Sequence, residues 1–328
     1  MSLLFGRIGP GKAGGSPAQV RLVMQARYLW IFSFCFATVS SLLFQKFLLP
    51  LLPSLHAGSG LLAQDALYYH QSAMAVADNI RANGWSAWAV WNSRPGFPDT
   101  MGNVAVLSAL YAIFSDDPAL IIPVNAFFQA GSACLLLLIG RELWPGRVGN
   151  IAGMTAAILF ILFPTSLSWY SQPLKDVYVF CGMLLILYSW LRALRALPGW
   201  KQLAALLVVH GAGVLLLAFV KPAYLQLLLA AAGLAIVAVA ARAAWRRQAR
   251  HYYSLGFFLP AAVLVAGLLY VLHPFMSQTA EYITVNRVGE INRVGEISTG
   301  ELTGRQWRNS SWLPSEAEKQ FEAMARIR

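Results

Sequence analysis

The chain has 328 residues, 58% of them hydrophobic and 12% charged, with a mean hydropathy of +0.56. Soluble domains carry about 25% charged residues, so the composition excludes an ordinary soluble protein and indicates an integral membrane protein. The formal charge of +11 then reflects Lys and Arg gathered in cytoplasmic loops, with no nucleic acid as partner. Cys35, Cys134 and Cys181 sit far apart in apolar runs without metal-ligand or disulfide-framework spacing, and read as packing residues.

Residues 1–27 carry Arg7, Lys12 and Arg21 among Gly, Pro and Ser, and read as a cytoplasmic tail before a signal-anchor helix. Residues 28–49 form the first expected span, long enough at 1.5 Å per residue to cross a core of roughly 30 Å. Arg21 and Arg27 before it place the N-terminus inside, and Lys46 near its far end can snorkel to the interface.

Residues 51–117 then form a first outer loop. Over residues 65–82, Leu67, Met74 and Ile80 recur at helical spacing, and Asn83-Gly84 is a stop signal. Trp85, Trp88 and Trp91 follow three apart, the pattern of an interfacial amphipathic piece. Arg94-Pro95-Gly96-Phe97-Pro98 is an irregular loop. The apolar run 101–115 would reach only about 22 Å as a helix, short of a span. It is bracketed by Pro98-Asp99 and Asp116-Asp117-Pro118 with no basic residue at either end, so it reads as a partly embedded outer helix.

Six more spans are expected over 119–140, 151–168, 177–194, 203–220, 223–241 and 255–271. With 101–115 left out, every strongly basic connection falls on the inner side: Arg141/Arg147, Arg192/Arg195/Lys201 and Arg242/Arg246/Arg247/Arg250. The expected fold is therefore an all-α polytopic membrane protein. It has seven spans over 28–273 and interfacial helices in the first outer loop, with the N-terminus inside and the C-terminus outside.

The outer side collects Asp65, His70, Arg94 and Asp99, then Ser171-Gln172-Pro173-Leu174-Lys175-Asp176, then Lys221-Pro222. Ionisable groups at span ends are costly unless paired or hydrated and suggest a site. Each also has a plain reading. Lys175 and Lys221 can snorkel, and Asp65 and Asp176 can cap helix N-termini against the macrodipole.

Residues 274–328 form an outer polar tail. It holds the tandem hexads Val285-Asn286-Arg287-Val288-Gly289-Glu290 and Ile291-Asn292-Arg293-Val294-Gly295-Glu296. Two copies are too few for a solenoid, so they read as a local duplication. Ser315-Glu316-Ala317-Glu318 after Pro314 opens a capped helix carrying Phe321, Met324 and Ile327. The chain stops inside that helix without a C-terminal signal: either the last helix frays, or, the favoured reading, this is the front part of a longer protein.

Three stretches resemble the GT-C superfamily of membrane glycosyltransferases, nearest to bacterial relatives of dolichyl-phosphate-mannose protein mannosyltransferases and of the lipid A aminoarabinose transferase. Asp65 with Tyr69 and Ala73 stands where that family has its loop carboxylate. Pro123-Val124-Asn125-Ala126 through Gly140-Arg141-Glu142-Leu143-Trp144 is similar to its second span and short basic turn. Phe163-Pro164-Thr165-Ser166 through Lys175-Asp176 is similar to the segment returning a second acidic residue to the outer face. The chain departs from the family in having Ala66 after Asp65 and not an Asp-Glu pair.

The resemblance implies transfer of a sugar from a polyprenyl-phosphate carrier to a lipid, glycan or protein acceptor, with inversion, at the periplasmic face of a bacterial inner membrane. That reaction needs a base for the acceptor hydroxyl and cationic or metal help for the departing phosphate. By resemblance Asp65 is the base, and Asp176 hydrogen-bonds the acceptor or holds a metal. Arg94, Lys175 and Lys221 are candidates for the lipid phosphate through charge-assisted bonds, and Tyr69 and His70 for substrate contact. Single carboxylates permit a divalent cation without requiring one. No Walker loop, dinucleotide fingerprint or zinc spacing is present.

The alternative reading is a non-catalytic scaffold subunit derived from the same module, with a membrane or periplasmic protein partner held through the tail. A transporter is disfavoured, because the charged residues gather on one side and not at mid-membrane.

Overall fold

Long runs of Ala, Leu and Val, interrupted by Gly, Pro and paired charges, make helices here. The structure, a computed structural model, describes residues 17–52, 60–62, 65–92, 101–144, 146–195, 199–246 and 253–272. Arg94, Asp99, the tandem hexads and the tail helix lie outside these residues. Among the described residues there is no strand.

The first helix, α1 (Pro17–Leu43), runs on through a π-helical turn (Phe44–Leu48) and a 3-10 turn (Leu49–Leu51). Then come α2 (Asp65–Asn83), α3 (Trp85–Asn92), α4 (Met101–Ile113) and a 3-10 turn (Pro118–Ile121) leading into α5 (Ile122–Leu143). After these are α6 (Gly146–Leu162), α7 (Pro164–Tyr170), α8 (Asp176–Arg195), α9 (Trp200–Val220), α10 (Tyr224–Arg246) and α11 (Tyr253–Leu272).

Six helical stretches are long and apolar enough to cross a membrane: α1 with its turns, α5 with its leading turn, and α8 to α11. A seventh exists if α6 and α7, bent by 60° at their junction, form one span. The chain is thus an all-helical, multi-pass type of protein. The expected spans recur with two differences. Helix α1 starts at Pro17 and not at residue 28, because Pro suits a first helical position and Gln19, Leu22, Met24 and Ala26 are good helix formers with no break before the apolar run. The expected span 151–168 is broken at Phe163-Pro164, since Pro164 has no N–H to give the preceding turn. Helix α4 has 13 residues, about 20 Å, and is too short to span alone.

The chain divides into two compact units. The first holds residues up to Val39, Pro123–Tyr170 and Asp176–Leu272. Its helices bury Leu29 against Ala133, Leu137, Ala157 and Ile161, and Ile186 against Val214, Leu217 and Val265. Small residues let the backbones meet, as is usual between membrane helices. A Cβ on Gly213 would stand 2.6 Å from the Gly182 carbonyl oxygen, and one on Gly182 would stand 2.9 Å from that of Gly213. Leu159, Val208, Leu227, Leu234 and Val263 face outward, an apolar exterior of the kind that lipid covers.

One end of this unit is basic and cross-tied. Arg141 donates to Asn150 and to Gln25, Arg192 pairs with Glu142 at 2.6 Å, and Arg195 donates to the Leu143 carbonyl at 2.8 Å.

The second unit holds Ser40–Ile122 and Ser171–Lys175. Helix α2 packs on α4, and α3 packs on both. The buried face of α2 is Ala66, Tyr69, His70, Ala73, Val76, Ala77 and Ile80, the stripe expected of an amphipathic helix. Helix α4 answers with Val104, Leu107 and Tyr111. Trp88 donates its indole N–H to the Ala105 carbonyl at 3.1 Å, while Trp85 is 53% exposed; the side chain of Trp91 lies outside those described.

Candidate functional site

In the second unit Asp65 is exposed and opens α2, where a carboxylate meets the positive end of the helix dipole. Tyr69 lies one turn on, along the same face, and is only 3% exposed. The Lys175 ammonium stands 6.0 Å from the centroid of the Tyr69 ring, within reach of a cation–π contact. The structure therefore places the Lys175 cation near Tyr69, a ring one helical turn from the exposed Asp65 carboxylate. Tyr68 meets Tyr69 edge-on at 5.8 Å and is itself 46% exposed, so a second ring borders the carboxylate side.

His70 points elsewhere. It is buried, and its Nδ1 lies 2.6 Å from the Tyr111 hydroxyl of α4. Burial holds the imidazole pKa below its ordinary value of 6.5, although Asp116 and Asp117 pull the other way. Burial, reinforced by Asp117 and Asp116, pushes the Tyr111 phenol up. Both rings are neutral at pH 7, and in the tautomer with its proton on Nε2 the imidazole accepts from the phenol.

Amides hold the segment that carries Lys175. Gln45, in the π-helical turn, is fully buried and donates to the Ser171 carbonyl at 3.0 Å. Gln172 accepts from the Leu62 N–H at 2.9 Å and donates to the Gly60 carbonyl at 3.2 Å. Asn103 donates to the Pro173 carbonyl at 3.0 Å. Gly60 has φ +74°, and a Cβ there would stand 2.6 Å from the Gln45 carbonyl oxygen, so both backbone conformation and space require glycine.

Three ion pairs, made by Lys46 and Arg81, border this frame. Lys46 reaches both oxygens of Asp117, at 2.9 and 2.8 Å, so it is paired where snorkelling alone was expected. Burial alone would raise the Asp117 pKa, but the bonds from Lys46 and the Ala119 N–H, with the Lys46 charge, lower it. Arg81 donates to Asp116 at 2.8 Å, to Asp78 at 2.9 Å and to the Tyr111 carbonyl at 2.6 Å. The Asp116 hydrogen bond, largest of its contacts, raises the Arg81 pKa.

Asp176 and Lys221 belong to the first unit. Asp176 is the first residue of α8, and Lys221 caps the end of α9 with its ammonium 5.0 Å from the Tyr224 ring centroid. Their neighbours Val177 and Val220 share one buried cluster, so both charges stand at the same end of that unit. The sequence-derived set thus falls into Asp65, Tyr69 and Lys175 together, His70 turned to Tyr111, and Asp176 with Lys221 at one end of the first unit. Arg94 is outside the described residues. Among the described residues no three His, Cys, Asp or Glu side chains gather as a metal-ligand set.

Gln45, Asn103 and the Arg81–Asp116 pair were not singled out by sequence reasoning, and Gln172 was named only as part of the stretch 171–176. The signal for the amides was their type: Gln45 and Asn103 are hydrogen-bonding side chains set inside apolar runs. Comparison of the chain with models of protein families, with curated proteins and with solved structures gives no match.

Proposed function

We propose that this chain is a membrane-embedded, inverting glycosyltransferase with Asp65 as its base. It takes a sugar from a polyprenyl-phosphate carrier and passes it to a lipid, glycan or protein hydroxyl at the periplasmic side of a bacterial inner membrane. The observation that carries this reading is the exposed Asp65 carboxylate one turn from Tyr69, with the Lys175 ammonium over that ring. A carboxylate open to solvent can take the proton of an acceptor hydroxyl as it attacks the anomeric carbon. The departing lipid phosphate leaves on the opposite side of the sugar, where a cation offsets its charge.

Lys175, beside Tyr69 in the same unit as Asp65, is the cation assigned to that phosphate. The clustering of Arg141, Arg192 and Arg195 at one end of the first unit supports a cytoplasmic position for that end. The helix ends carrying Asp176 and Lys221 are then periplasmic.

The test is sugar transfer from a labelled polyprenyl-phosphate sugar by the purified chain in proteoliposomes, compared with Asp65→Asn. Transfer by the natural chain and its loss in the variant, at unchanged thermal stability, is the expected result. Normal turnover by Asp65→Asn would remove Asp65 as base. No donor consumption by either protein, together with capture of a membrane or periplasmic partner through residues 274–328, supports the scaffold alternative.

A further inference from the structure

Helix α5 carries polar side chains into the apolar interior of the first unit. Gln129 and Ser132 are three residues apart and share one face, and both are fully buried. One turn before Gln129, Asn125 donates to the Tyr170 carbonyl at 2.9 Å, which brings the end of α7 against this face. The Ser132 hydroxyl lies within interaction range of the Tyr170 hydroxyl and of the Cys181 thiol of α8. Tyr178, one turn before Cys181, meets the Phe128 ring at 4.9 Å. Asn125, Ser132, Tyr170, Tyr178 and Cys181 therefore line one seam, with Gln129 on the α5 face that forms it.

Both amide atoms of Gln129, the Ser132 hydroxyl and the hydroxyls of Tyr170 and Tyr178 have no hydrogen-bond partner of acceptable geometry among the described residues. Five polar atoms of four side chains at 4% exposure or less, gathered along one seam, call for a partner, because buried polar groups are nearly always hydrogen-bonded to protein or to ordered water. Every group is neutral at pH 7, and hydroxyls and an amide can each donate and accept. The matching ligand is small, uncharged and able to do both.

We infer that this seam is a water site inside the membrane layer of the first unit. The Gln129 amide and the Ser132, Tyr170 and Tyr178 hydroxyls hold ordered water, in the two-to-four-partner arrangement typical of buried water. The site runs inward from the helix end that carries Asp176, over about 14 Å of α5 from Pro123 to Ser132. Water there satisfies the four side chains, which the surrounding Leu and Val side chains cannot do. The inference is independent of the glycosyltransferase reading.

The experiment is X-ray hydroxyl-radical footprinting of the full chain in nanodiscs, read by mass spectrometry. Radicals formed from bound water label the side chains beside it. Cys181 and Cys134 form an internal comparison, since each is 6% exposed, and the Cys134 thiol instead faces the Ala26 carbonyl at 3.3 Å. The expected result is labelling of Cys181 several-fold faster than Cys134, with Tyr178 and Tyr170 labelled as well. Gln129→Leu is expected to slow Cys181 and Tyr178 labelling toward the Cys134 rate, and Gln129→Glu is expected to keep it. Equal labelling of the two cysteines in the natural chain, a measurement needing no variant, overturns the inference. So does a Gln129→Leu protein of raised melting temperature and unchanged labelling, since that is the behaviour of a dry, unsatisfied amide.

Discussion

The hydroxyl of Tyr111 and Nδ1 of His70 stand 2.6 Å apart inside the second unit, one on α4 and the other on α2. This bond joins the two helices at a buried point where water cannot replace either partner. Tyr111→Phe keeps the ring and removes the partner, so His70 is left with an unsatisfied nitrogen. The expected loss is about 1–3 kcal/mol of stability, read as a lower midpoint in denaturant titration. A variant as stable as the natural chain would show that His70 is served by another group.

The same pair predicts a pH dependence. The folded imidazole titrates below its ordinary value of 6.5, so between those two values the unfolded chain binds more protons than the folded one. Stability therefore rises with pH in that window and is lost as pH falls from about 6.5 toward the folded value. Tyr111, Asp116 and Asp117 are the titratable groups acting on this ring. His70→Gln retains a hydrogen-bonding group that does not titrate, and melting scans from pH 7 to 5 should show a shallower slope for it. Asp117 acts in a separate window: its lowered pKa means that its contribution is lost only below its ordinary value of 3.8.

Gln172 ties residues 60–62 to the segment carrying Lys175 through the Leu62 N–H and the Gly60 carbonyl. Gln172→Leu preserves bulk but leaves those backbone groups without this partner. A loss of about 1–3 kcal/mol for each group left buried and unsatisfied is expected. Thermal unfolding reports the cost, and hydrogen exchange at the Leu62 amide reports where it falls. Unchanged exchange there would show that the amide clamp does not hold this turn.

Lys46 and Asp117 are bonded at 2.8 Å but are 42% and 44% exposed. Solvent screening limits such a pair to about 0–1 kcal/mol. A double-mutant cycle with Lys46→Met and Asp117→Asn should give a coupling in that range, shrinking as salt is raised. A larger, salt-insensitive coupling would mean that membrane or protein shields the pair from solvent.

Gly182 and Gly213 allow α8 and α9 to touch along their backbones. Gly213→Val must push the helices apart, because even the first carbon would stand 2.6 Å from a carbonyl oxygen. Overpacking of this kind costs about 1–3 kcal/mol, seen as a lower melting temperature in detergent. Gly233→Ala, at a site with nothing within 4 Å of the added carbon, is the control expected to melt normally.

Helices α8 to α11 were legible as segments within a few residues of their ends, because an apolar run long enough to span a bilayer has one stable backbone form in lipid: every N–H and C=O must be satisfied within the helix. The shortness of α4 followed from length alone. The break at Pro164 was not foreseen: residues 151–168 were expected as one span, and only the structure shows that the chain bends there by 60°, since a proline kink can be small or large depending on what packs beside it. Asp65 was legible as an exposed carboxylate opening a helix.

Its neighbour was not. Tyr69 and Lys175 are 106 positions apart in the chain, and only tertiary packing puts the ammonium over the ring. His70 adjoins Tyr69 in sequence, yet the helical twist of about 100° per residue sends it to Tyr111. Lys46 was read as snorkelling to the interface and Asp117 only as part of the Asp116-Asp117-Pro118 boundary of the 101–115 run, until the fold paired them. Length and hydropathy thus determined which segments become apolar helices. Which side chains meet was decided by the packing of those helices, because a contact between distant positions depends on rotation and register that no local pattern encodes.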